Sequence, residues 1–398
     1  MSLFSAVEMA PRDPILGLNE QFNADTNPNK VNLGVGVYYD DNGKLPLLQC
    51  VQQAEHHMME APKARGYLPI DGIAAYDAAV KNLVFGAGSE PVTSGRVATV
   101  QALGGTGGLK VGADLLHKIN PHARVLISDP SWENHRALFT SAGFKVETYP
   151  YYDAAKRGVN FDGMLATLQA AEPGTIAVLH ACCHNPTGYD ITPAQWDQVV
   201  TAVKDRKLTA FLDMAYQGFG HGLAEDGAVI GKFVAAGLSF FVSTSFSKSF
   251  SLYGERVGAL SVVCASKEEA ARVLSQLKIV VRTNYSNPPT HGGAVVAAVL
   301  GDPTLRALWE KELGEMRARI KVMRQKLVDG LKAAGVKQDM SFITQQIGMF
   351  SYSGLSKDQM VRLRNEFGVY GTDTGRMCVA ALNSKNIDYV CASIAKVI

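Results

Sequence analysis

Two kinds of apolar segment alternate through the middle of the chain. Between about residues 95 and 265, segments rich in β-branched and aromatic residues predict strands at 123–129, 175–181, 208–214, 240–245 and 258–265. Apolar residues at helical spacing predict helices at 107–119, 193–205 and 267–281. Because the strand segments are apolar throughout, we expect a mostly parallel sheet that is covered on both faces. The pattern predicts an α/β fold with a large, doubly wound domain.

The C-terminal part of the chain follows a different pattern. Residues 303–336 are charged on one face and end close to a glycine, which predicts one extended helix that could bridge two domains. Beyond it, 341–355 and 375–383 predict strands of a smaller α+β domain, and 386–398 predict a closing helix. The first 30 residues lack periodicity and are expected to form a loop.

Composition narrows the class of protein. A length of 398 residues, 47% apolar and 19% charged, suits a globular protein of two domains. The net charge of +2 and the lack of a polybasic run give no reason to expect nucleic-acid binding. The longest apolar run, 294–300, is too short to span a bilayer, and no secretory leader is visible, so we expect a cytoplasmic protein.

The six cysteines are scattered and lack the C-x-x-C spacing of a zinc site. We therefore expect reduced, structural cysteines and no metal site. Cys182 and Cys183 are neighbours beside an apolar run, where buried small apolar residues are the expected interpretation.

Polar residues gather after the predicted strands, where ligands bind in open α/β sheets. GGTGGLK at 104–110 opens a helix whose free N–H groups favour a phosphate, with a plain tight turn as the alternative. SFSKSFSLYGER at 245–256 places Lys248 near hydroxyl groups and Arg256. This lysine could be an amine nucleophile beside a phosphate clamp, or a solvated residue in a loop.

Further strand ends carry residues suited to a flat, charged ligand. Asp213 ends an apolar strand and needs a cationic partner, for which a pyridinium nitrogen is suitable. Asn185 precedes a proline in HNPTG, in a rigid turn that either presents an amide to a ligand or is simply a loop. Trp132, in DPSWENH, either stacks on a flat ring or fills the core.

In order and spacing these segments resemble the class I aminotransferases of the aspartate and aromatic amino acid type, across nearly the whole chain. The matching segments include VNLGVGVYYDDNGK, GYLPIDG, GGTGGLK, DPSWENH, HACCHNPTG, FLDMAYQGFG, SFSKSFSLYGERVG, RTNYSNPP, GMFSYSGL and GRMCVAALN. The resemblance implies a fold-type I pyridoxal-phosphate-dependent transferase that forms an obligate homodimer with shared active sites. It also implies an N-terminal arm (1–11), a discontinuous small domain (12–44 and 316–398) and a large cofactor-binding domain (45–315).

The resemblance further implies roles for single residues. Lys248 would hold pyridoxal 5'-phosphate as a Schiff base and later move a proton, and Asp213 would pair with the pyridine nitrogen. Tyr216 and Asn185 would hydrogen-bond the ring oxygen, and Trp132 would stack on the ring. The phosphate would be bound by Gly105, Thr106, Ser245, Ser247 and Arg256, with Tyr67 reaching in from the neighbouring subunit.

Two arginines would recognise the substrate. The resemblance implies that Arg376, with Asn185 and the backbone at Gly36, clamps the α-carboxylate. Arg282 would cross the dimer interface to bind the distal carboxylate of aspartate or glutamate; for either arginine the alternative is a surface ion pair.

The resemblance indicates the substrate preference less directly than it indicates the cofactor. Stretches such as SDPSWENH are closer to the bacterial aromatic (tyrosine) branch, whereas Thr106 and Asn287 are common in aspartate enzymes. We therefore expect ping-pong transfer of an amino group from tyrosine, phenylalanine and also aspartate to 2-oxoglutarate. The alternative is an aspartate aminotransferase with little aromatic activity.

Other enzyme classes share single features with this sequence. Residues 245–248 also satisfy S-x-x-K, the signature of serine acyl-transfer enzymes, but the companion K-T-G and S-D-N motifs are absent from the sequence. Decarboxylases, aldolases and carbon–sulfur lyases also use lysine-bound pyridoxal phosphate. The paired arginines disfavour them.

Overall fold

The computed structural model describes residues 2–398. Its strands are β1 (Val31–Asn32), β2 (Val97–Leu103), β3 (Arg124–Asp129), β4 (Lys145–Pro150), β5 (Tyr152–Asp153), β6 (Gly158–Val159), β7 (Ile176–His180), β8 (Thr209–Met214), β9 (Phe240–Ser245), β10 (Val257–Val263), β11 (Phe350–Tyr352), β12 (Val369–Tyr370) and β13 (Arg376–Cys378). Its helices are α1 (Leu16–Ala24), α2 (Gln49–Glu60), α3 (Ala74–Phe85), α4 (Glu90–Thr93), α5 (Gly104–Ile119), α6 (Glu133–Ser141), α7 (Phe161–Ala170), α8 (Pro193–Asp205), α9 (Leu223–Ala235), α10 (Lys267–Asn284), α11 (His291–Gly301), α12 (Pro303–Ala333), α13 (Lys357–Phe367) and α14 (Ile387–Val397).

A seven-stranded sheet in the order β2-β10-β9-β8-β7-β3-β4 forms the centre of the large part of the molecule. Successive residues of β8 enter different cores, Phe211 on one face and Leu212 on the other. Helices α5 and α10 contribute to the first core, and α8, α9 and α12 to the second. The predicted doubly wound, mostly parallel sheet is therefore confirmed.

One strand of this sheet runs against the others. β10 pairs antiparallel with both β2 and β9, whereas β3, β4, β7, β8 and β9 form parallel pairs. Its first residue consequently lies at the edge where its neighbours end. Arg256, which precedes β10, therefore reaches the ligand-binding edge from the start of a strand and not, as we expected, after the end of one.

The long helix α12 connects the two parts of the molecule. It begins at Pro303, after the Asp302 side chain, which accepts hydrogen bonds from the first free backbone N–H groups. Near this end, the Trp309 indole donates to the Ser249 carbonyl (2.7 Å). Further along, buried Arg324 donates to the Phe350 carbonyl (2.8 Å). The predicted extended helix is confirmed, and both ends of it pack against residues near the cavity described below.

Short sheets and helices form the smaller part. β1 pairs parallel with β12, and β11 pairs antiparallel with β13. The strand predicted over 341–355 was wrong for most of its length, because 341–345 form a 3-10 helix and only Phe350–Tyr352 pair. Likewise, of 375–383 only Arg376–Cys378 form a strand. The Gln346 side chain donates a hydrogen bond to the Tyr352 carbonyl and accepts one from the Tyr352 N–H. These two bonds take the place of hydrogen bonds to a further strand.

The N-terminal segment also differs from the expected loop. Residues 16–24 form helix α1, although the sequence shows little periodicity there. The Asp13 carboxylate accepts hydrogen bonds from the backbone N–H groups of Ile15 (2.9 Å) and Leu16 (2.7 Å), and Leu18 is buried. A side-chain cap and one packed leucine thus stabilise a helix that its pattern does not predict.

Within residues 2–398, no helix combines the length and apolar character needed to cross a membrane. All six cysteines are free and buried.

Candidate active site

A cavity of about 310 Å³ opens at the sheet edge where the parallel strands end. It is lined by nearly all of the predicted site residues, namely Gly36, Gly105, Thr106, Trp132, Asn185, Asp213, Tyr216, Ser245, Ser247, Lys248, Arg256 and Arg376. Two predicted residues lie elsewhere. Tyr67 is 97% exposed, and Arg282 is exposed on α10, where it donates to the hydroxyl of Ser286.

Lys248 follows β9 and projects into the cavity. Its Nζ lies 4.9 Å from the centre of the Tyr216 ring. Burial, together with the positive charges of Arg256 and Arg376, lowers the pKa of Lys248 to about 8, although the Asp213 carboxylate opposes this shift. The amine is therefore much more available as a nucleophile near neutral pH than an ordinary lysine.

Asp213, near the end of β8, supplies a buried negative charge. Its carboxylate accepts a hydrogen bond from His135 Nε2 (2.7 Å), and His135 Nδ1 in turn contacts the Ser131 hydroxyl (2.8 Å). Burial by itself would raise the pKa of Asp213, but the His135 hydrogen bond and nearby positive charge, including that of Lys248, lower it below the ordinary value. Asp213 thus remains ionised in a dry environment and can pair with a cation.

The start of helix α5 gives the cavity a region suited to an anion. The helix begins at Gly104 with no side-chain cap and no acidic residue in its first turn, and Gly105 and Thr106 line the cavity, so free N–H groups are available there. Arg256 donates to the Ser247 hydroxyl (3.3 Å) and has φ +55°. A Cβ on Gly104 would lie 2.5 Å from Arg256 Nη2, so only glycine lets this guanidinium approach the helix start.

Arg376 occupies the side of the cavity formed by the smaller part. It is 1% exposed and donates to the Asn185 side-chain oxygen (3.1 Å) and to the Gly34 carbonyl (2.6 Å). Its guanidinium also lies 4.4 Å from the centre of the Phe350 ring. Among residues 2–398, nothing pairs with its Nε. A buried guanidinium with spare donor capacity is suited to bind a carboxylate.

Comparison with known proteins identifies the family. The family model described as aminotransferase class I and II matches residues 28–394. The chain belongs to this family. It is 62% identical, over the full length of both chains, to an aspartate aminotransferase of Pseudomonas aeruginosa. It is 51% identical to the aromatic-amino-acid aminotransferase of Escherichia coli K12, with 99% of this chain and 100% of that protein covered.

A solved structure has the same fold. The aromatic-amino-acid aminotransferase of Burkholderia pseudomallei, which is covalently bound to pyridoxal phosphate, is 67% identical, with a TM-score of 0.97 over 100% of both chains. The predicted class I aminotransferase, of aspartate and aromatic type and with the fold of that class, is confirmed. Family membership also removes the serine acyl-transfer alternative for Ser245 and Lys248.

Three cavity residues of this aminotransferase were not predicted from the sequence: His180, Tyr253 and Phe350. His135, which contacts Asp213 but does not line the cavity, was also missed. His180 ends β7 directly beside Asp213, so the rule applied to the other strand ends would have found it. Both of its ring nitrogens lack a partner within residues 2–398, and burial holds its pKa well below the ordinary value. The Tyr253 hydroxyl accepts a hydrogen bond from the Tyr38 N–H (3.0 Å). No local sequence pattern predicts this contact, because the two residues are far apart in the chain.

Proposed function

We propose that this aminotransferase binds pyridoxal 5'-phosphate and moves amino groups from tyrosine, phenylalanine and aspartate to 2-oxoglutarate. The observation that carries the proposal is the set of groups that line one cavity. A buried carboxylate (Asp213), a cationic helix start with Arg256 and the amine of Lys248 all line it, and the charges of Asp213 and Arg256 both act on Lys248. The Burkholderia relative with this fold holds the same cofactor covalently.

The residues present fit the cofactor at each point. The ring nitrogen needs an ionised partner, and Asp213 is held in that state by His135. The phosphate needs N–H and cationic donors, and these are supplied by Gly105, Thr106, Ser245, Ser247 and Arg256. A Cβ on Gly105 would lie 3.0 Å from the Ser245 Cβ, so glycine keeps this end of the cavity open. Trp132 lines the cavity, where its indole can cover the ring.

When bound, pyridoxal phosphate supplies an aldehyde carbon that carries the amino group and a ring that accepts the electron pair left at the substrate Cα. The protein supplies position and proton transfer. Arg376 binds the α-carboxylate and so orients the Cα–H bond. Lys248 would attach the cofactor in the resting enzyme and, once free, would carry the proton from Cα to the cofactor. Tyr216 and Asn185 would donate hydrogen bonds to the ring oxygen.

The proposed cofactor chemistry has a direct spectroscopic test. We expect the purified protein to be yellow, to bleach when tyrosine or aspartate is added, and to regain its colour with 2-oxoglutarate. A protein that stays colourless after incubation with pyridoxal phosphate would contradict the proposal. Colour loss accompanied by carbon dioxide would indicate a decarboxylase.

We further propose an obligate homodimer in which Tyr67 and Arg282 complete the active site of the neighbouring subunit. Neither side chain lines the cavity of its own chain, and both are exposed, Tyr67 to 97%. The described part of the arm, 2–11, also presents apolar side chains to solvent, which favours burial against a second copy. These residues are Leu3, Phe4, Val7 and Met9.

Mixed dimers test this sharing of residues. A Lys248→Ala chain and an Arg282→Leu chain each lack one part of the aspartate site. If Arg282 acts across the interface, refolding the two together restores one complete site in each mixed dimer. Because random pairing makes about half of the dimers mixed, aspartate turnover of the mixture returns towards about one quarter of the parent value. If Arg282 acts within its own chain, the mixture is no more active on aspartate than its components.

The substrate balance is tested by kcat/KM for tyrosine, phenylalanine, aspartate and a branched-chain amino acid with 2-oxoglutarate. Values for tyrosine and aspartate within about 100-fold of each other would support dual specificity. A much larger preference for aspartate would favour the alternative, an aspartate aminotransferase with little aromatic activity.

We also propose that 12–44 and 316–398 form the small domain and 45–315 the large one. The parallel pair β1–β12 supports this division, because it joins the two distant segments of the small domain.

The free cysteines support a location in the reducing cytoplasm.

A further inference from the structure

A second cavity, of about 330 Å³, shares no lining residue with the active-site cavity. It is lined in part by Cys182 and Asp226, and its rim carries the exposed residues His221 and Glu225. The thiols of Cys182 and Cys183 and a carboxylate oxygen of Asp226 all lie within 4.8 Å of one another. The cavity gives a small ion a path from solvent to this cluster.

The backbone explains how two adjacent cysteines face the same way. Side chains of consecutive residues normally point in opposite directions along an extended chain. Cys183 instead has φ +53°, a left-handed conformation that is uncommon for a residue with a side chain. Hydrogen bonds from the backbone N–H groups of Cys183 (2.7 Å) and His184 (2.8 Å) to the Asp190 carboxylate hold this turn.

The surroundings of the thiols carry negative charge. Asp226 is 5% exposed, and its carboxylate accepts hydrogen bonds from the backbone N–H groups of Gly218, Gly220 and His221 (2.8–2.9 Å). Asp190, whose carboxylate accepts hydrogen bonds from the N–H groups of Cys183 and His184, is a second carboxylate beside the thiols. Lys232, the cation on the cavity wall, is paired with Asp197. A cation at the thiols would therefore be attracted by two carboxylates.

We propose that Cys182, Cys183 and Asp226 bind a thiophilic divalent cation, Zn²⁺ or Cd²⁺, with the fourth position open to water from the cavity. Thiolates and a carboxylate are suitable ligands for such ions. Binding expels two thiol protons as the ion enters, so the net charge of the buried cluster does not change. Tetrahedral coordination places ligand atoms roughly 3.5–4 Å apart, so the cluster needs to contract by about 1 Å at most.

The ion would touch the framework of the active site. The Cys183 thiol contacts the Tyr216 carbonyl (3.8 Å), and Asn185 lies two residues after Cys183. Asp226 anchors the loop that follows Tyr216. The sequence spacing of the cysteines gave no reason to expect a metal, because the cluster depends on the turn at Cys183 and on a carboxylate from another element.

Cadmium titration of the reduced, cofactor-loaded enzyme tests the proposal. We expect the ultraviolet thiolate-to-cadmium charge-transfer band to rise and saturate at one ion per chain. Cys182→Ser and Cys183→Ser should each remove most of the band. The matched control Cys264→Ser, at another buried cysteine, should leave it unchanged. Asp226→Asn should keep the band but weaken cadmium binding on the order of tenfold or more.

Folding of each variant is checked without metal, by the colour change with amino acid and 2-oxo acid. The cluster His135, His180 and Asp213 has no thiol and so cannot produce this band. A parent enzyme without the band at saturating cadmium would overturn the proposal. So would a band of equal size in the folded double variant Cys182→Ser/Cys183→Ser, and so would unchanged affinity in Asp226→Asn.

Discussion

The predicted binding residues fall into two regions of the single chain, one buried in a cavity and one exposed to solvent. Lys248, Asp213 and Arg376 converge on one cavity, where Arg376 is only 1% exposed. Tyr67 and Arg282 are exposed to solvent, and within the described residues the one hydrogen bond of the Arg282 side chain is to a serine four residues further along its own chain. The difference separates what one chain can build alone from what we propose a second copy must add.

The free-energy cost of burying a charge explains this separation. A buried charge needs partners, and two charges of the cavity have them: His135 for Asp213, and Asn185 and Gly34 for Arg376. An exposed arginine needs none, because water solvates it. The groups of the cavity are thus preorganised within the chain, whereas we propose that recognition of the distal end of the substrate depends on exposed residues of another subunit.

The largest effect is expected at the centre of the preorganised region. Lys248→Ala removes both the amine that attaches the cofactor and the base that moves the proton, so kcat should fall by roughly 10⁴-fold or more for every substrate. Lys204→Ala, at an exposed lysine on α8, is the matched control. Equal losses for tyrosine and aspartate identify a defect in chemistry; a variant that kept more than a few per cent of activity would break the assignment.

A smaller effect is expected at Asp213. Asp213→Asn keeps the shape and the contact with His135 but removes the negative charge that supports a protonated ring nitrogen. We expect kcat to fall by roughly 10²- to 10³-fold, again alike for both substrates, because one preorganised electrostatic group is lost. His135→Asn, which leaves the carboxylate in place, should cost less in kcat. A larger loss in His135→Asn would reverse the roles given to the two residues.

The same contrast shows what could be predicted from sequence. Strand ends marked by Lys248, Asp213 and Asn185 were visible because each residue interrupts or follows a local apolar run. His135 was not, since its role depends on Asp213, 78 residues away. The direction of β10 was equally hidden, because a strand buried on every residue has the same local pattern in either orientation.

Arg282 tests the exposed region. Arg282→Leu removes the proposed partner of the distal carboxylate, so kcat/KM for aspartate should fall by roughly 100-fold, as expected for a lost charge-assisted pair. Tyrosine should change by only a few-fold, because its ring needs no cation. Arg272→Leu, at another exposed arginine of α10, is the control. If tyrosine turnover collapses with that of aspartate, Arg282 supports the structure and does not select the substrate.

The smallest effect concerns the titration of Lys248 in the cofactor-free protein. Its pKa is lowered to about 8, so the neutral, reactive amine should appear with a midpoint near that pH. Labelling at a series of pH values, read by mass spectrometry, reports this midpoint. Because Arg256 lowers this pKa and Asp213 raises it, Arg256→Gln should move the midpoint upward and Asp213→Asn downward. Opposite displacements would show that both charges act on one amine, and a midpoint that neither substitution moves would show that Lys248 is solvated away from the charges of the cavity.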